Sequence, residues 1–193
     1  MLHPLRTAAL IFGLLLANTV HAAPPATPDD MSRLLEGKGL LSQIDQMRES
    51  VTHTASDLVG NAMGFLGVPY KRGGSTAETG FDCSGFVKAM YSQTIGLILP
   101  RKAEQQAATT QRIDQTDLQP GDLVFFNTMR RAFSHVGIYI GEGKFIHSPK
   151  PGSEVRVDNM GLSYWSRRFD GARRVDTSTA NGKPLAGTIE PKM

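Results

Sequence analysis

The sequence is nearly without cysteine, and it also lacks long hydrophobic runs and an excess of charge of one sign. Cys83 is the only cysteine among 193 residues, which excludes an internal disulfide and therefore a small scaffold built on disulfides. The N-terminal apolar stretch, residues 8–17, is far shorter than the roughly 18 to 20 residues that span a bilayer. With 21 Lys and Arg against 18 Asp and Glu and no dense basic run, the composition predicts no nucleic-acid partner.

The N-terminus is typical of a secretory signal. Arg6 precedes the apolar stretch, and small residues surround position 22, where a signal peptidase would cut. We therefore predict a signal peptide over residues 1–22 and an exported protein, periplasmic or secreted, without stable membrane insertion after cleavage. A retained membrane anchor is the less favoured alternative. A lipid anchor is excluded because the cleavage point has no cysteine.

The rest of the chain divides into a linker, one domain and a tail. We predict a linker and N-terminal helical segment over residues 23–54, with a helix at 31–47, and a disordered tail over 177–193. The domain, residues 55–176, has helical periodicity at 56–66 and 84–95 and a short surface helix after Pro100. Strand-like runs follow at 123–126, 135–140, 144–147, 155–157 and 171–175. Helices followed by strands predict an α+β domain.

Cys83 is the candidate nucleophile. It lies in Asp82-Cys83-Ser84-Gly85, after a glycine-rich loop and at the start of a predicted helix. The unpaired N–H groups and partial positive charge of a helix start lower the pKa of a thiol. The alternative is an ordinary core cysteine, since free cysteine is among the most buried residue types. The loop and the flanking polar residues favour the catalytic interpretation.

Two histidines are candidates for the base and the group that orients it. If the three residues after Ile140 form a hairpin turn, Ile140 pairs with Lys144. His147 then lies opposite Gly137 and diagonally from His135, so both imidazoles share one face and Gly137 leaves room between them. We expect that face to be polar. The opposite face is expected to be core, formed by Val136, Ile138, Ile140 and Ile146.

Five motifs that occur in order along the chain carry a family resemblance. They are GVPYKRGG at 67–74, FDCSGFV at 81–87, PGDLVFF at 120–126, HVGIY at 135–139 and FIH at 145–147. Together they resemble the NlpC/P60 family of bacterial cell-wall cysteine peptidases, over residues 55–175. The resemblance implies a papain-like α+β fold, with N-terminal helices packed on a C-terminal antiparallel sheet and the nucleophile at a helix start.

The resemblance also implies roles for individual residues and a substrate. Cys83 would be the nucleophile, His135 the base and His147 the polar residue that orients His135. The implied substrate is the stem peptide of peptidoglycan. The family most often cuts it between the γ-carboxyl of D-glutamate and diaminopimelate, and some members cut the cross-link between D-alanine and diaminopimelate. No cofactor or metal is implied.

Three further residues are implied to line the substrate side. They are Tyr70, Asp82 and Ser84, with Tyr70 near the oxyanion or the amino end of the peptide. By contrast, Arg101 could meet a carboxylate of the substrate, but we interpret it as a solvated charge by default. The aromatic residues Trp165, Tyr164 and Phe169 are interpreted as core or rim residues.

Three other functions stay open at this point. A zinc site could use Cys83, His135 and His147, although closely spaced ligand pairs are absent from the sequence. A non-catalytic wall-binding or scaffolding domain could keep the same fold, and related folds include acyltransferases that form thioesters. The complete set of one cysteine and two histidines in an exported chain favours hydrolysis of a wall peptide. Whether a regulatory protein partner exists is left open.

Overall fold

The structure is a computed structural model that describes residues 39–177. The predicted signal peptide, the predicted linker up to residue 38 and the predicted tail from residue 178 lie outside the described residues. The chain divides into two units, residues 1–44 and 45–193. Of the first unit, residues 39–44 are described, and they hold the start of helix α1. The second unit contains every other element given below. Within residues 39–177, no helix is both long and apolar enough to cross a membrane.

Helix α1 (Leu40–Met63) is one continuous element. The sequence predicted two helices, at 31–47 and 56–66, and for the described residues this is wrong. The helix continues because residues 48–55 contain neither glycine nor proline to end it. Its second half supplies Leu58 and Ala62 to the core. The predicted domain boundary at residue 55 falls inside this helix and stays a prediction.

Helix α2 (Cys83–Ile95) begins one residue earlier than predicted. Asp82 caps its N-terminus with a side-chain oxygen that accepts from the Gly85 N–H, and Gly96 ends the helix with φ of 68°. A short helix α3 (Ala103–Ala108) follows. It was predicted as a surface helix, but Gln106 is fully buried, because this helix packs against α2. The last helix, α4 (Ser163–Ser166), is a single turn.

Within residues 39–177 the strands are β1 (Ser75–Thr76), β2 (Gly80–Phe81), β3 (Gln111–Ile113), β4 (Leu123–Phe126), β5 (His135–Gly141), β6 (Lys144–His147), β7 (Arg156–Asn159) and β8 (Phe169–Arg174). Six of them form an antiparallel sheet with the order β3-β8-β4-β5-β6-β7, which confirms the α+β class. The five predicted strand-like runs correspond to the consecutive strands from β8 to β7. The sequence predicted neither β3 nor the separate short pair of β1 and β2, which precedes α2.

The hairpin between β5 and β6 differs from the prediction at its turn, but the residue pairing beyond the turn agrees with it. Gly141, and not Ile140, pairs with Lys144, so the turn has two residues, Glu142 and Gly143, with φ of 52° and 69°. A bulge between Tyr139 and Gly141 takes up the extra residue. Beyond the bulge the pairing is the predicted one, because Ile138 lies opposite Ile146. Extended by one residue, this register places Gly137 opposite His147.

The two faces of the sheet bury different clusters. One face packs on α2 and belongs to the main core, which includes Val136, Ile138 and Ile146. The other face was expected to be polar, and this is wrong. It carries a second apolar cluster formed by Val124, Phe126, Phe145, Met160 and Trp165. The two histidines are therefore enclosed by aromatic side chains, which largely exclude water from them.

Candidate active site

Cys83 is the first residue of α2, and a dense set of hydrogen bonds fixes this helix start. The Asp82 carboxylate accepts from the Gly85 N–H at 2.8 Å and from the Gly73 N–H at 2.9 Å. The Asp82 N–H in turn donates to the Gly74 carbonyl at 3.1 Å. Asp82 thus joins the glycine-rich loop to the helix start through its side chain and its backbone N–H.

Glycine is required where the loop meets the helix. A Cβ added to Gly85 would lie 2.1 Å from the Gly74 carbonyl oxygen, and one added to Gly74 would lie 2.2 Å from the carbonyl oxygen of Gly80. Both contacts are with backbone atoms, which cannot rotate away. The glycines of the two motifs therefore allow the close approach that positions Cys83.

Arg101 completes the support of the helix start, so its interpretation as a solvated charge is wrong. Its guanidinium donates to both carboxylate oxygens of Asp82, at 2.9 and 2.6 Å, and to the Ser84 hydroxyl at 3.0 Å. It also reaches the Gly74 carbonyl at 3.4 Å. A two-pronged contact of this kind is the strong form of an Arg–carboxylate pair. Both oxygens of the Asp82 carboxylate thereby accept hydrogen bonds from within the protein.

The surroundings of the Cys83 sulfur favour the neutral thiol. Burial, followed by the Asp82 carboxylate, raises the pKa of Cys83 to about 11. The backbone N–H groups of Val136 and Ser84 act in the opposite direction and are outweighed. The helix start thus lowers the thiol pKa as expected, but the expected net decrease is wrong, because Cys83 packs against the apolar core and burial outweighs the helix start. The sulfur of Cys83 therefore lies beside the backbone of Val136, the residue that follows His135.

His135 and His147 are brought together, as the register predicted. His135 Nε2 lies 2.7 Å from His147 Nδ1 across the two strands. The side chains are buried, with 3% of His135 and 0% of His147 exposed. Burial is the main cause that lowers the pKa of both imidazoles, and for His135 the neighbouring His147 adds to it. Both rings are therefore neutral at neutral pH.

Asp158 extends this pair and was missed by the sequence analysis. Its Oδ2 lies 3.0 Å from His147 Nε2. The same oxygen accepts from the Trp165 indole N–H at 3.1 Å and from the Arg156 guanidinium at 3.0 Å. The hydrogen bond with His147 is the main cause that lowers the pKa of the Asp158 carboxyl, so it is ionised. No local sequence signal marked Asp158, because an eight-residue connection separates β6 from β7.

Aromatic rings enclose the histidine pair. The Trp165 ring stacks on His135 with centroids 5.5 Å apart and an interplanar angle of 25°. Phe145 contacts His147 with centroids 4.6 Å apart, and Phe126 lies against Trp165. Trp165 is 5% exposed, in agreement with its prediction as a core residue, whereas Tyr164 is 47% exposed at the rim.

The remaining predicted substrate residues lie close to Cys83. Tyr70 forms an isolated β-bridge with Phe81, two residues before Cys83. Burial is the main cause that raises the pKa of the half-buried Tyr70, and the charges of Cys83 and Asp82 contribute next. Ser84 is buried, and its hydroxyl contacts Asp82 and Arg101. Direct contact of these three residues with a substrate stays a prediction.

Two further polar side chains, which the sequence analysis did not single out, support the segments that carry the site. Gln106 donates through Nε2 to the Ser84 carbonyl at 3.0 Å and to the Pro100 carbonyl at 2.9 Å. Ser148, next to His147, donates its hydroxyl to the Phe81 carbonyl at 2.7 Å. The second contact joins the end of β6 to the strand that leads into Asp82 and Cys83.

The part of the chain that the structure describes contains no group of three or more His, Cys, Asp or Glu placed to hold a metal ion. The arrangement instead offers a thiol at a helix start beside a chain of hydrogen bonds from an imidazole to a second imidazole and a carboxylate. This combination is suited to nucleophilic attack by sulfur with proton transfer to nitrogen.

Comparison with known proteins shows the family of the chain. The model of the NlpC/P60 family matches residues 67–174, which is more than half of the chain. The chain belongs to the NlpC/P60 family. The matched segment contains Cys83, both histidines and Asp158, and it ends with strand β8.

Curated relatives of this NlpC/P60 chain are hydrolases or endopeptidases by name. The murein DD-endopeptidase MepH of Escherichia coli is 44% identical over 115 residues, which cover 58% of this chain and 42% of the relative. The gamma-DL-glutamyl hydrolase of Bacillus subtilis is 42% identical over 123 residues, which cover 63% of this chain and 30% of the relative. The chain thus spans less than half the length of either relative.

Solved structures confirm the fold. An NlpC/P60 family protein from Bacillus cereus is 37% identical, with a TM-score of 0.58 over 62% of this chain and 39% of that protein. The NlpC/P60 domain of the peptidoglycan hydrolase SagA is 30% identical, with a TM-score of 0.56. The match covers 63% of this chain and 98% of that domain.

Proposed function

We propose that the protein is a cysteine endopeptidase that hydrolyses amide bonds in the stem peptides of peptidoglycan. The observation that carries the proposal is the placement of the Cys83 thiol beside the backbone N–H of Val136. Val136 follows His135, whose imidazole Nε2 lies 2.7 Å from His147 Nδ1. The relative named murein DD-endopeptidase MepH supports the substrate class.

In the proposed reaction the sulfur of Cys83 attacks the amide carbonyl carbon. His135 accepts the thiol proton as the carbon–sulfur bond forms and then donates it to the leaving amine as the carbon–nitrogen bond breaks. The resulting thioester is hydrolysed by a water molecule that His135 deprotonates, which restores the thiol and releases the carboxylate. Because thiol and imidazole are both neutral at rest, proton transfer accompanies the attack rather than preceding it.

The oxyanion that forms during attack needs hydrogen-bond donors. The backbone N–H of Cys83 at the start of α2 is our candidate, because the first N–H groups of a helix have no partner within the helix. A donor of this kind contributes roughly 3 to 4 kcal/mol to the stability of the transition state. The tight packing of Gly85 on Gly74 keeps this helix start fixed, so the donor is held in place before the substrate arrives.

For the bond that is cut, we propose the one between the γ-carboxyl of D-glutamate and diaminopimelate. The relative named gamma-DL-glutamyl hydrolase supports this choice. A second candidate is the cross-link between D-alanine and diaminopimelate, and the 44% identity with a murein DD-endopeptidase favours it. Either reaction takes place outside the cytoplasm, in agreement with the signal peptide predicted for residues 1–22.

The experiment that tests the proposal is mass spectrometry of sacculi digested by the purified protein. New diaminopimelate amino termini paired with free γ-carboxyl groups of D-glutamate are expected. New D-alanine carboxyl termini would assign the second bond instead. The Cys83→Ala variant is the control for contaminating hydrolases. An absence of new peptide termini with the wild-type protein would contradict the proposal and favour a non-catalytic wall-binding domain.

A further inference from the structure

We propose that Asp158 is a positioning residue that fixes which ring nitrogen of His135 carries a proton, acting through His147. The inference rests on the proposed function, because it concerns the base of that reaction. It goes beyond the cysteine and two histidines that the sequence indicated. Among the described residues Asp158 makes no hydrogen bond with Cys83 or His135, so the hydrogen-bonded path from Asp158 to His135 runs through His147.

Three neighbouring strands supply one member each. His135 lies on β5, His147 on β6 and Asp158 on β7. Asp158 is paired with Phe145, two residues before His147, so the two side chains lie diagonally on the same face. The sheet therefore holds the chain of hydrogen bonds across its strands, with heavy-atom distances of 2.7 and 3.0 Å.

The carboxylate of Asp158 is itself held in place. Trp165 and Arg156 donate to the Oδ2 atom that faces His147. Arg156 also donates through Nε to the Oδ1 atom at 3.2 Å. The side chain is only 16% exposed, so competition from water is limited. An ionised carboxylate in this position can only accept hydrogen bonds.

The protonation pattern follows from an Asp158 that only accepts hydrogen bonds and a His147 ring that is neutral. Because Asp158 only accepts, His147 Nε2 carries a hydrogen and donates it. The ring of His147 is neutral, so its Nδ1 has no hydrogen and accepts from His135. His135 therefore carries its hydrogen on Nε2, and its Nδ1 is left with a free lone pair. Nδ1 is the atom that can accept the Cys83 proton.

Loss of the carboxylate would release this constraint. Without an acceptor at position 158, His147 can carry its hydrogen on Nδ1 and donate toward His135. His135 would then accept on Nε2 and carry its own hydrogen on Nδ1, and in that form it cannot accept the thiol proton. The distances would change little, so the defect would lie in the location of a proton rather than in the fold.

The test combines nitrogen NMR of the histidine ring nitrogens with kinetics on one purified muropeptide. In the wild-type protein we expect His135 to be protonated on Nε2. In Asp158→Ala we expect a mixture of ring forms, with kcat lowered by roughly tenfold or more and KM nearly unchanged. Asp158→Asn restores an acceptor oxygen and should recover the wild-type ring form and part of kcat. If the alanine variant does not fold, Asp158→Ser, whose hydroxyl is too short to reach His147, replaces it.

The matched control is Asp122→Asn. Asp122 is a buried aspartate that also pairs with an arginine on the same sheet, at 2.8 and 2.9 Å from Arg174, but it lies outside the histidine chain. This variant should lose stability and keep the wild-type ring form of His135. A wild-type ring form in Asp158→Ala would overturn the inference, whether or not kcat falls. Because NMR reads the ring form without substrate, this result is distinguishable from a failure of the proposed peptidase activity.

Discussion

Replacement of Gly137 by alanine should damage the site by steric crowding alone. Gly137 lies on β5 between the two histidines, and its φ is outside the left-handed region, so alanine meets no backbone strain there. The added Cβ would lie 2.6 Å from Cδ2 of Phe145, 2.9 Å from the Ile146 carbonyl oxygen and 3.1 Å from Cβ of His147. All three neighbours belong to β6.

The magnitude follows from these contacts. Carbon atoms pack at about 3.5 to 4.0 Å, so the contact with Phe145 is too short by roughly 1 Å. Phe145 is fully buried, and the second neighbour is a backbone atom, so neither can move without displacing β6. Overpacking of this kind costs about 1 to 3 kcal/mol, and we expect the upper end of that range. Displacement of β6 would also lengthen the hydrogen bond between His135 and His147, so hydrolysis should fall.

Urea denaturation and muropeptide hydrolysis would measure both effects. The control is Gly60→Ala on the exposed face of α1, where a Cβ would meet nothing within 4 Å. That substitution should stabilise the protein by up to about 1 kcal/mol, because alanine is the better helix former. A Gly137→Ala variant within about 0.5 kcal/mol of the wild type and fully active would refute the reasoning.

Three further predictions concern the thiol and the histidines. Alkylation of Cys83 by iodoacetamide should keep accelerating through pH 8.5 and above, because burial raises the thiol pKa to about 11. His135→Ala should lose about 10²- to 10⁴-fold in kcat/KM, whereas His147→Gln keeps an acceptor for the His135 N–H and should retain measurable activity. The free energy of unfolding should fall as pH drops below 6.5, because the unfolded chain then protonates two histidines whose folded pKa values are lowered. Each contributes about 1.4 kcal/mol per pH unit until its folded pKa is reached, so urea denaturation of His147→Gln should show a shallower slope than the wild type.

Each of these predictions has a clear opposing result. An alkylation rate that levels off below pH 8.5 would mean that Cys83 is an acidic thiol, as the helix start alone suggested. Equal and complete loss of activity in the two histidine variants would remove the distinction between base and orienting residue. A wild-type unfolding free energy that is constant from pH 7 to 5, or an equal slope in His147→Gln, would contradict the neutral buried pair.

The relative placement of Cys83, His135 and His147 could be predicted from the sequence because its determinants are local. Cys83 lies between a glycine-rich loop and a helical pattern, and both signals fall within a few residues. The relation of His135 to His147 follows from one hairpin, whose register survived a wrong prediction of the turn because the bulge lies between the turn and the histidines. Local rules of chain geometry are therefore sufficient to predict the helix-start position of Cys83 and the pairing of the two histidines.

The remainder of the site depends on contacts between distant segments. Asp158 reaches His147 only because β7 pairs with β6 after an eight-residue connection, and no turn rule fixes the register across such a connection. Arg101 meets Asp82 across 19 residues. The burial that raises the thiol pKa and lowers both imidazole pKa values comes from residues on several strands and helices. A hydrophobic pattern predicts that a residue faces a core, but it does not predict which rings enclose it.

The most direct test of the account is the hydrolysis of purified muropeptides by Cys83→Ala, with circular dichroism recorded on the same sample. Alanine keeps the Cβ and removes only the sulfur, which takes part in none of the hydrogen bonds that fix the start of α2, so the fold should be retained. The account predicts a wild-type dichroism spectrum together with no detectable release of product. Product release at the wild-type rate by the folded variant would contradict the assignment of Cys83 as the nucleophile.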